Sequence, residues 1–383
     1  MPQHRRAAIA GTGFSAISRG PGPHATALAL DAVLAALGDA GLGPADVDGL
    51  ASYPARVSEN THWMAFALGI PSLRWYADIG GWGPAAMSSI GAAIAAVESG
   101  ACEVAVAYRA LTVPQRVPGD QIEPGRTLSG VQELYRSYAF TKAPQWIAMW
   151  ARHHFDSYGT RSEDLGAIAI ATRRHAGRNP DAIAREPLDM DAYMSSDMIA
   201  DPLRVYDCDY PVNGAGAVVI TTLERARDMP RPPAAIQSWA IATGPSPDWV
   251  FWPDLDTMAA TYAAKAMWDR ADGLDAADVD CLQLYDGFTI TAVYWAEAIG
   301  LCAVGEGAQY LRDKGMDETS PVPINTFGGS LSHGRLHGMG HVIEAVRQIQ
   351  RTAGGTQLDD VQTAAVGVGG GPLAGALLLT SDR

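Results

Sequence analysis

Asn325-Thr-Phe-Gly-Gly-Ser-Leu-Ser-His-Gly-Arg-Leu-His-Gly-Met-Gly-His341 packs five glycines and three histidines into seventeen residues. Glycine has no Cβ to penalise positive φ or to hold a ligand off, so the run describes a backbone drawn tightly against something. Arg335 and His337 add charge and proton transfer near neutral pH, the make-up of a site loop. Val342, Ile343, Ala345, Val346 and Ile349 then recur at helical spacing, so the glycine turn feeds a helix over 341–349. His333, His337 and His341 stand four residues apart. Gly334, Gly338 and Gly340 interrupt any helix there and no carboxylate accompanies the histidines, so no metal site is expected.

Outward from this loop, composition sets bounds. The 383 residues, 48% hydrophobic and 18% charged, suit one large domain or two halves around a sizeable core. Forty-two acidic against 28 basic residues give a formal charge of -14, which argues against nucleic acid or an anionic membrane as main partner. An anionic ligand must then meet local arginines or helix N-termini. Cys102, Cys208, Cys281 and Cys302 show no C-x-x-C spacing, so a reduced, cytoplasmic setting is expected, with no disulfide framework. Arg5 and Arg6 lead directly into Ala-Ala-Ile-Ala-Gly-Thr-Gly with no signal-peptide core, and no apolar run approaches the ~20 residues of a membrane span.

Taken in order, the chain alternates strand and helix, the α/β signature. Ala7–Ala10 reads as a buried strand turned by Gly11-Thr12-Gly13, and 24–40 as a helix. Asp78–Tyr108 reads as a glycine turn with Pro84, a small-residue helix closed by Gly100, and a strand over 103–107; Ser88 and Ser89 read as packing residues within it. Arg116–Pro144 is a long polar and aromatic excursion, a length usually given to lids or interaction surfaces. After the Pro- and Arg-rich link over 227–233, a second half repeats the pattern, with a helix over 257–269, a strand over 279–284 and a glycine-turned strand pair through Gly367, Gly369, Gly370 and Gly371. The domain reading is 1–228, with a loop insertion around 110–200, and 234–383.

Several of these motifs together resemble the thiolase superfamily. The opening stretch is similar to the family's N-x-x-G-G-x-x-x-x-G-H-P-x-G loop, with Asn325, Gly328, Gly329, Gly334 and Gly338 in place and Arg335 at the histidine position. Tyr-Gly-Thr at 158–160, R-R-H-A-x-x-N-P at 173–180, Ala-Asp-Pro-Leu at 200–203 and Y-D-C-D-Y-P-V-N-G-A-G-A-V at 206–218 follow in the order of the lipid-transfer, sterol-carrier-protein-x branch. The resemblance implies a five-layered α-β-α-β-α fold in two similar halves. It also implies that Gly83 stands where thiolases carry the nucleophilic cysteine and Gly367 where they carry the acid/base cysteine. Glycine has no nucleophile, so acyl-cysteine chemistry is closed. In the turn Leu284-Tyr285-Asp286-Gly287-Phe288, Tyr285 takes the place of the residue that helps hold the thioester oxygen.

What survives is a pocket able to stabilise the enolate of an acyl thioester. Degenerate members with Tyr in that turn resemble the steroid side-chain aldolases, which implies retro-aldol cleavage of a β-hydroxyacyl-CoA, such as a steroid side-chain thioester, to a ketone and a short acyl-CoA. Tyr285, Arg335 and His337 are the catalytic candidates; Gly83, Asp286, His333, Gly334 and Gly369 are expected to line the substrate. A free phenol, with a pKa of ~10, needs a cation beside it to act as a base, and Arg335 is the expected one; Arg335 itself stays protonated, leaving His337 as the nearest titratable substitute. His175 reads as structural. No cofactor is expected beyond the coenzyme A of the substrate. The family resemblance further implies a homodimer, packed through the helix after Gly83 and the strand over 103–107, and a small OB-fold acyl-CoA-associated partner, for which Arg116–Pro144 is a candidate surface. The alternatives are a non-catalytic acyl-CoA- or lipid-binding subunit and an acyltransferase using Cys208 or Cys281.

Overall fold

The computed structural model describes residues 5–54, 60–80, 86–113, 131–140 and 142–382. Gly83 and most of the Arg116–Pro144 excursion lie outside them; within that excursion a helix spans Val131–Ser137. The strands are β1 (Ala7–Phe14), β2 (Gly49–Ser52), β3 (Trp75–Asp78), β4 (Val104–Leu111), β5 (Met198–Ala200), β6 (Leu203–Arg204), β7 (Gly214–Thr222), β8 (Ala234–Thr243), β9 (Cys281–Leu284), β10 (Thr363–Gly369) and β11 (Leu373–Ser381). Nine of them join in the order β3-β2-β4-β7-β1-β8-β11-β10-β9, and β5 pairs with β6 alone.

The repeat is written in the pairing. β1 runs antiparallel to β7, β7 antiparallel to β4, and β4 parallel to β2. β8, β11, β10 and β9 repeat that series of directions. The halves touch through β1 and β8, which share only the Ala8–Ala235 and Ile9–Ala234 pairs. Helices Ala86–Glu98 and Met339–Gln350 each pack on strands of both halves, and one apolar cluster gathers Ile90, Ile94, Val342 and Val346 with Ile220 and Leu377. These helices are the middle layer. Helix Ala25–Asp39 covers the first half-sheet, and helices Ala259–Trp268 and Thr289–Ile299 cover the second, giving the five layers. Strands running near-continuously apolar are what a sheet covered on both faces requires.

Two local readings are corrected. Gly11-Thr12-Gly13 continues β1 to Phe14 with a bulge near Ile9 and does not end it. A Cβ on Gly11 would meet the Ala36 carbonyl at 2.5 Å, and one on Gly13 the Ala32 carbonyl at 2.3 Å; these glycines let helix Ala25–Asp39 lie directly on the strand. The surfaces expected at a two-fold contact are also interior. Every residue of β4 is buried and the strand is paired on both sides, while helix Ala86–Glu98 is the middle layer. β3 forms one edge of the nine-stranded sheet and β9 the other, and Tyr76, Trp63 and Phe66 at or near β3 are exposed. Among the described residues no helix is long and apolar enough to cross a membrane.

Candidate active site

β1, β4 and β9 end on the side where the middle-layer helix Met339–Gln350 begins, and the glycine loop closes over that end. As the glycines imply, no continuous helix runs through the loop: Gly329–His333 makes one π-helical turn, and the α-helix begins at Met339 with Gly338 left-handed before it. π turns inside otherwise regular structure recur at functional sites. Gly329 has φ 58°, and a Cβ there would lie 1.8 Å from Asp286 Oδ2. Only glycine lets the loop come down on that carboxylate, which accepts from Ser330 N at 2.6 Å, Leu331 N at 3.5 Å and His341 Nε2 at 3.0 Å. A carboxylate therefore does accompany one histidine, from another turn of the chain, in a role of anchoring the loop. Among the described residues no group of three or more metal-ligating side chains gathers.

Tyr285 follows β9, its N–H donating to Gly367 O at 2.8 Å. The side chain is 7% exposed and its hydroxyl makes no hydrogen bond to the described residues. Burial, and then Asp209, push the phenol well above its ordinary pKa; Arg335 pulls the other way and loses. Arg335, expected to make Tyr285 a base, does not lower the phenol enough to do so, and the phenol keeps its proton. The reason is that Arg335 is already paired, Nη1 to Asp209 Oδ1 at 3.3 Å.

Asp209 was hidden in the Asp-Cys-Asp-Tyr-Pro run. Its side chain is 9% exposed, and burial raises its pKa to about 6 even though Arg335 opposes the rise. A carboxylate tuned to that range is ionised at neutral pH and accepts a proton more readily than an exposed Asp. Cys208, beside it, is a thiol raised by burial, and Cys281 likewise, which leaves no activated sulfur.

Arg109 was the other residue missed. It is 1% exposed within β4, donates through Nη1 to the carbonyls of Tyr53 and of Pro54 (3.1 Å), lies 4.5 Å over the Tyr53 ring, and reaches His337 Nδ1 through Nη2 at 3.3 Å. Burial pulls it down to about 10, so it remains a cation at neutral pH. A guanidinium only donates, so His337 Nδ1 accepts and the ring proton sits on Nε2. Burial, Arg109 and Arg335 hold His337 well below the usual imidazole pKa, hence neutral. Its φ of 53° is unusual for a non-glycine residue. His337 thus offers an Nε2–H donor and is closed as a base through Nδ1.

The remaining candidates separate. His333 packs between Phe14 and Phe327, ring centroids 5.3 and 5.1 Å away, and burial takes its pKa to about 3. It belongs to the apolar support of the loop, not to the Tyr285 constellation. Gly334 rests against Val212 and Ile17, and Gly369 O accepts from Trp295 Nε1 at 2.7 Å. A Cβ on Gly367 would lie 2.4 Å from the Trp295 indole, so the ring leaves no room for a side chain there. His175 Nδ1 donates to the carbonyl of Asn325 at 2.9 Å.

The chain is similar to known proteins along its length. A family profile described as thiolase C-terminal domain-like matches residues 247–379. The chain is 34% identical, over 98% of each chain, to a steroid side-chain-cleaving aldolase of Thermomonospora curvata. It is 36% identical, over 91% of its own length and 92% of the relative's, to a 17-hydroxy-3-oxo-4-pregnene-20-carboxyl-CoA lyase of Mycobacterium tuberculosis. A solved Ltp2-ChsH2(DUF35) aldolase superposes with a TM-score of 0.91 at 33% identity, covering 99% of this chain and 98% of that one. Human mitochondrial 3-ketoacyl-CoA thiolase, 15% identical, shares the fold with a TM-score of 0.71 over 99% of each chain. With relatives matched along nearly its whole length, the chain belongs to the side-chain-cleaving aldolase branch of the thiolase superfamily.

Proposed function

We infer that this chain is a carbon–carbon lyase that cleaves a β-hydroxyacyl-CoA by retro-aldol chemistry, its substrate a steroid side-chain thioester and its products a ketone and a short acyl-CoA. The observation that carries the reading is the pairing of an ionised carboxyl tuned near neutrality, Asp209, with a protonated phenol, Tyr285, that no described residue engages. Two titratable groups whose environments push them apart divide the work of base and acid.

Asp209 takes the β-hydroxyl proton, the C–O bond becomes a carbonyl, and the Cα–Cβ pair moves onto Cα and the thioester oxygen. The enolate is met by the Nε2–H of His337, backed by Arg109, and by the charge of Arg335; donors fixed in a dry site need no reorganisation as charge develops. Tyr285 delivers its proton to Cα, and the proton held by Asp209 returns to the phenolate. Every bond broken is matched by one formed, and only protons move, so the cycle draws on no further cofactor.

The purified chain incubated with a β-hydroxyacyl-CoA bearing a tertiary alcohol on a steroid ring should release the ring ketone and a short acyl-CoA in equal amounts. A free thiol of coenzyme A appearing instead would indicate thiolysis or hydrolysis and sink the reading. For assembly, we propose a homodimer formed along the β3 edge, where a second β3 can pair and Trp63, Phe66 and Tyr76 find cover. We further propose a small OB-fold partner, supported by the two-component name of the solved relative. A monomer in dilute size-exclusion measurements, or full activity of the isolated chain, would remove these in turn.

A further inference from the structure

Among the described residues just over half of the arginines have a carboxylate partner. Arg5, Arg74, Arg152, Arg227, Arg312 and Arg351 are all paired. Arg19, Arg173 and Arg185 are not paired with any carboxylate among the described residues, and all three line one cleft of about 670 Å³. Arg173 is only 7% exposed, yet its contacts are neutral: Nε to Ser332 Oγ at 3.1 Å, Nη1 to the Glu186 carbonyl at 3.3 Å and Nη2 to the Tyr210 hydroxyl at 3.2 Å. Arg19 lies 5.3 Å over the Tyr210 ring, with Arg173 5.6 Å from the same ring. A largely buried cation held by neutral groups leaves its charge uncompensated, and a ligand anion supplies what the fold omits.

The cleft abuts the catalytic loop. Tyr210 N donates to Ser330 O at 3.2 Å, Arg335 N donates to Tyr210 O at 2.9 Å, and Asp209 is the next residue. Ser332, which holds Arg173, lies on the π turn itself. We propose that this cleft binds the phosphate groups of the substrate's coenzyme A, with Arg19 and Arg185 clasping them, Arg173 supplying the fixed charge behind, and the Tyr210 ring holding Arg19 and Arg173 in place. Arginine forks match phosphate geometry and aromatic faces alike. The net charge of -14 makes such a local cluster necessary, because the overall field repels a polyanion. Glu186, also on the rim, sets the limit on how far the anion spreads.

This rests on the acyl-CoA reading above, and the test separates the two. Coenzyme A, 3′,5′-ADP and pantetheine are titrated calorimetrically into the full chain and into Arg19→Ser, Arg185→Ser and the double variant, substitutions at exposed positions that leave the core intact. Coenzyme A and 3′,5′-ADP should each weaken by about tenfold per arginine, the worth of one charge-assisted contact, while pantetheine stays unchanged. Wild-type affinity for coenzyme A in the double variant overturns the proposal, as does failure of 3′,5′-ADP to bind the unmodified chain. Arginine-dependent binding in a protein that cleaves nothing would leave this site standing and remove the lyase instead.

Discussion

The turn of Asp286 and the turn of Asp209 both bring a buried carboxylate up to Tyr285, and they do opposite work. Asp286 is saturated: two backbone amides and His341 surround it, all delivered by a loop that glycine alone lets close. Asp209 has one ion-pair partner, Arg335, whose side chain remains 35% exposed. A carboxylate ringed by fixed donors is a structural anchor. One that is buried with a single mobile counter-charge is left with a raised pKa and can trade protons.

The largest expected effect lies on the reactive side of this contrast. Asp209→Asn and Tyr285→Phe should each lower turnover by roughly 10²–10⁴ with thermal unfolding little changed, the usual worth of one positioned acid or base. The two together should fall well short of the product, since either disables the same proton path. The pH profile gives a finer reading. Asp209 must be ionised to accept a proton, so activity should rise through the pH of about 6 at which its carboxyl titrates and be lost below it. Arg335 is what holds that carboxyl down, so Arg335→Met should move the acidic limb to higher pH. A limb that stays put, or wild-type turnover in Asp209→Asn, would transfer the base role elsewhere.

On the anchoring side the readout changes from rate to stability. Asp286→Ala strands Ser330 N, Leu331 N and the buried His341 ring, and should cost about 3–5 kcal/mol, the penalty of breaking a buried pair by removing one partner. Its unfolding midpoint in denaturant, compared with that of Asp209→Asn, measures the difference between the two turns directly. If both variants lose the same stability, the distinction between anchor and reagent collapses.

Much of this was legible in the residues. The alternation of strand and helix and the glycine loop feeding a helix can be read because each is local in sequence. Asp209 and Arg109 escaped because their roles depend on what the fold sets beside them. Arg109 did leave a signal: a lone charge inside Val-Ala-Val-Ala-Tyr-Arg-Ala-Leu, in a strand buried on both faces, has to be used. Gly11 and Gly13 were misread as a turn because close approach and positive φ call for the same residue, and only the helix lying above them tells which. The charge balance at Tyr285 was misjudged for the same reason, Arg335 having been counted without the Asp209 it serves.

The Gly367 position bears on whether the sulfur-free site is a vacancy or a rebuilt pocket. Trp295 fills the space, with its Nε1–H bound to Gly369 O at 2.7 Å. Gly367→Cys should therefore overpack the core and destabilise by about 1–3 kcal/mol without restoring thiolase activity. A cysteine accepted there at no loss of stability would mean that the indole moves aside, and the pocket would be larger than drawn.

The smallest effect expected is none. Thiols react as thiolates, and burial pushes Cys102 and Cys302 up to about 12 and raises Cys208 and Cys281 as well. At pH 7.5 the thiolate fraction of such a group is on the order of 10⁻⁴ to 10⁻⁵, and two of the four side chains are fully enclosed. Mild alkylation should leave retro-aldol turnover unchanged over the time in which an exposed thiol is consumed. Cys208 is the informative exception, because it is half-buried and precedes Asp209 in the reactive turn. Were activity lost at a rate that substrate slows, and were Cys208→Ser to abolish that loss while keeping turnover, the label would be reporting crowding at Asp209. Only if Cys208→Ser itself stopped the reaction would sulfur return to the mechanism and the division between the two carboxylates need redrawing.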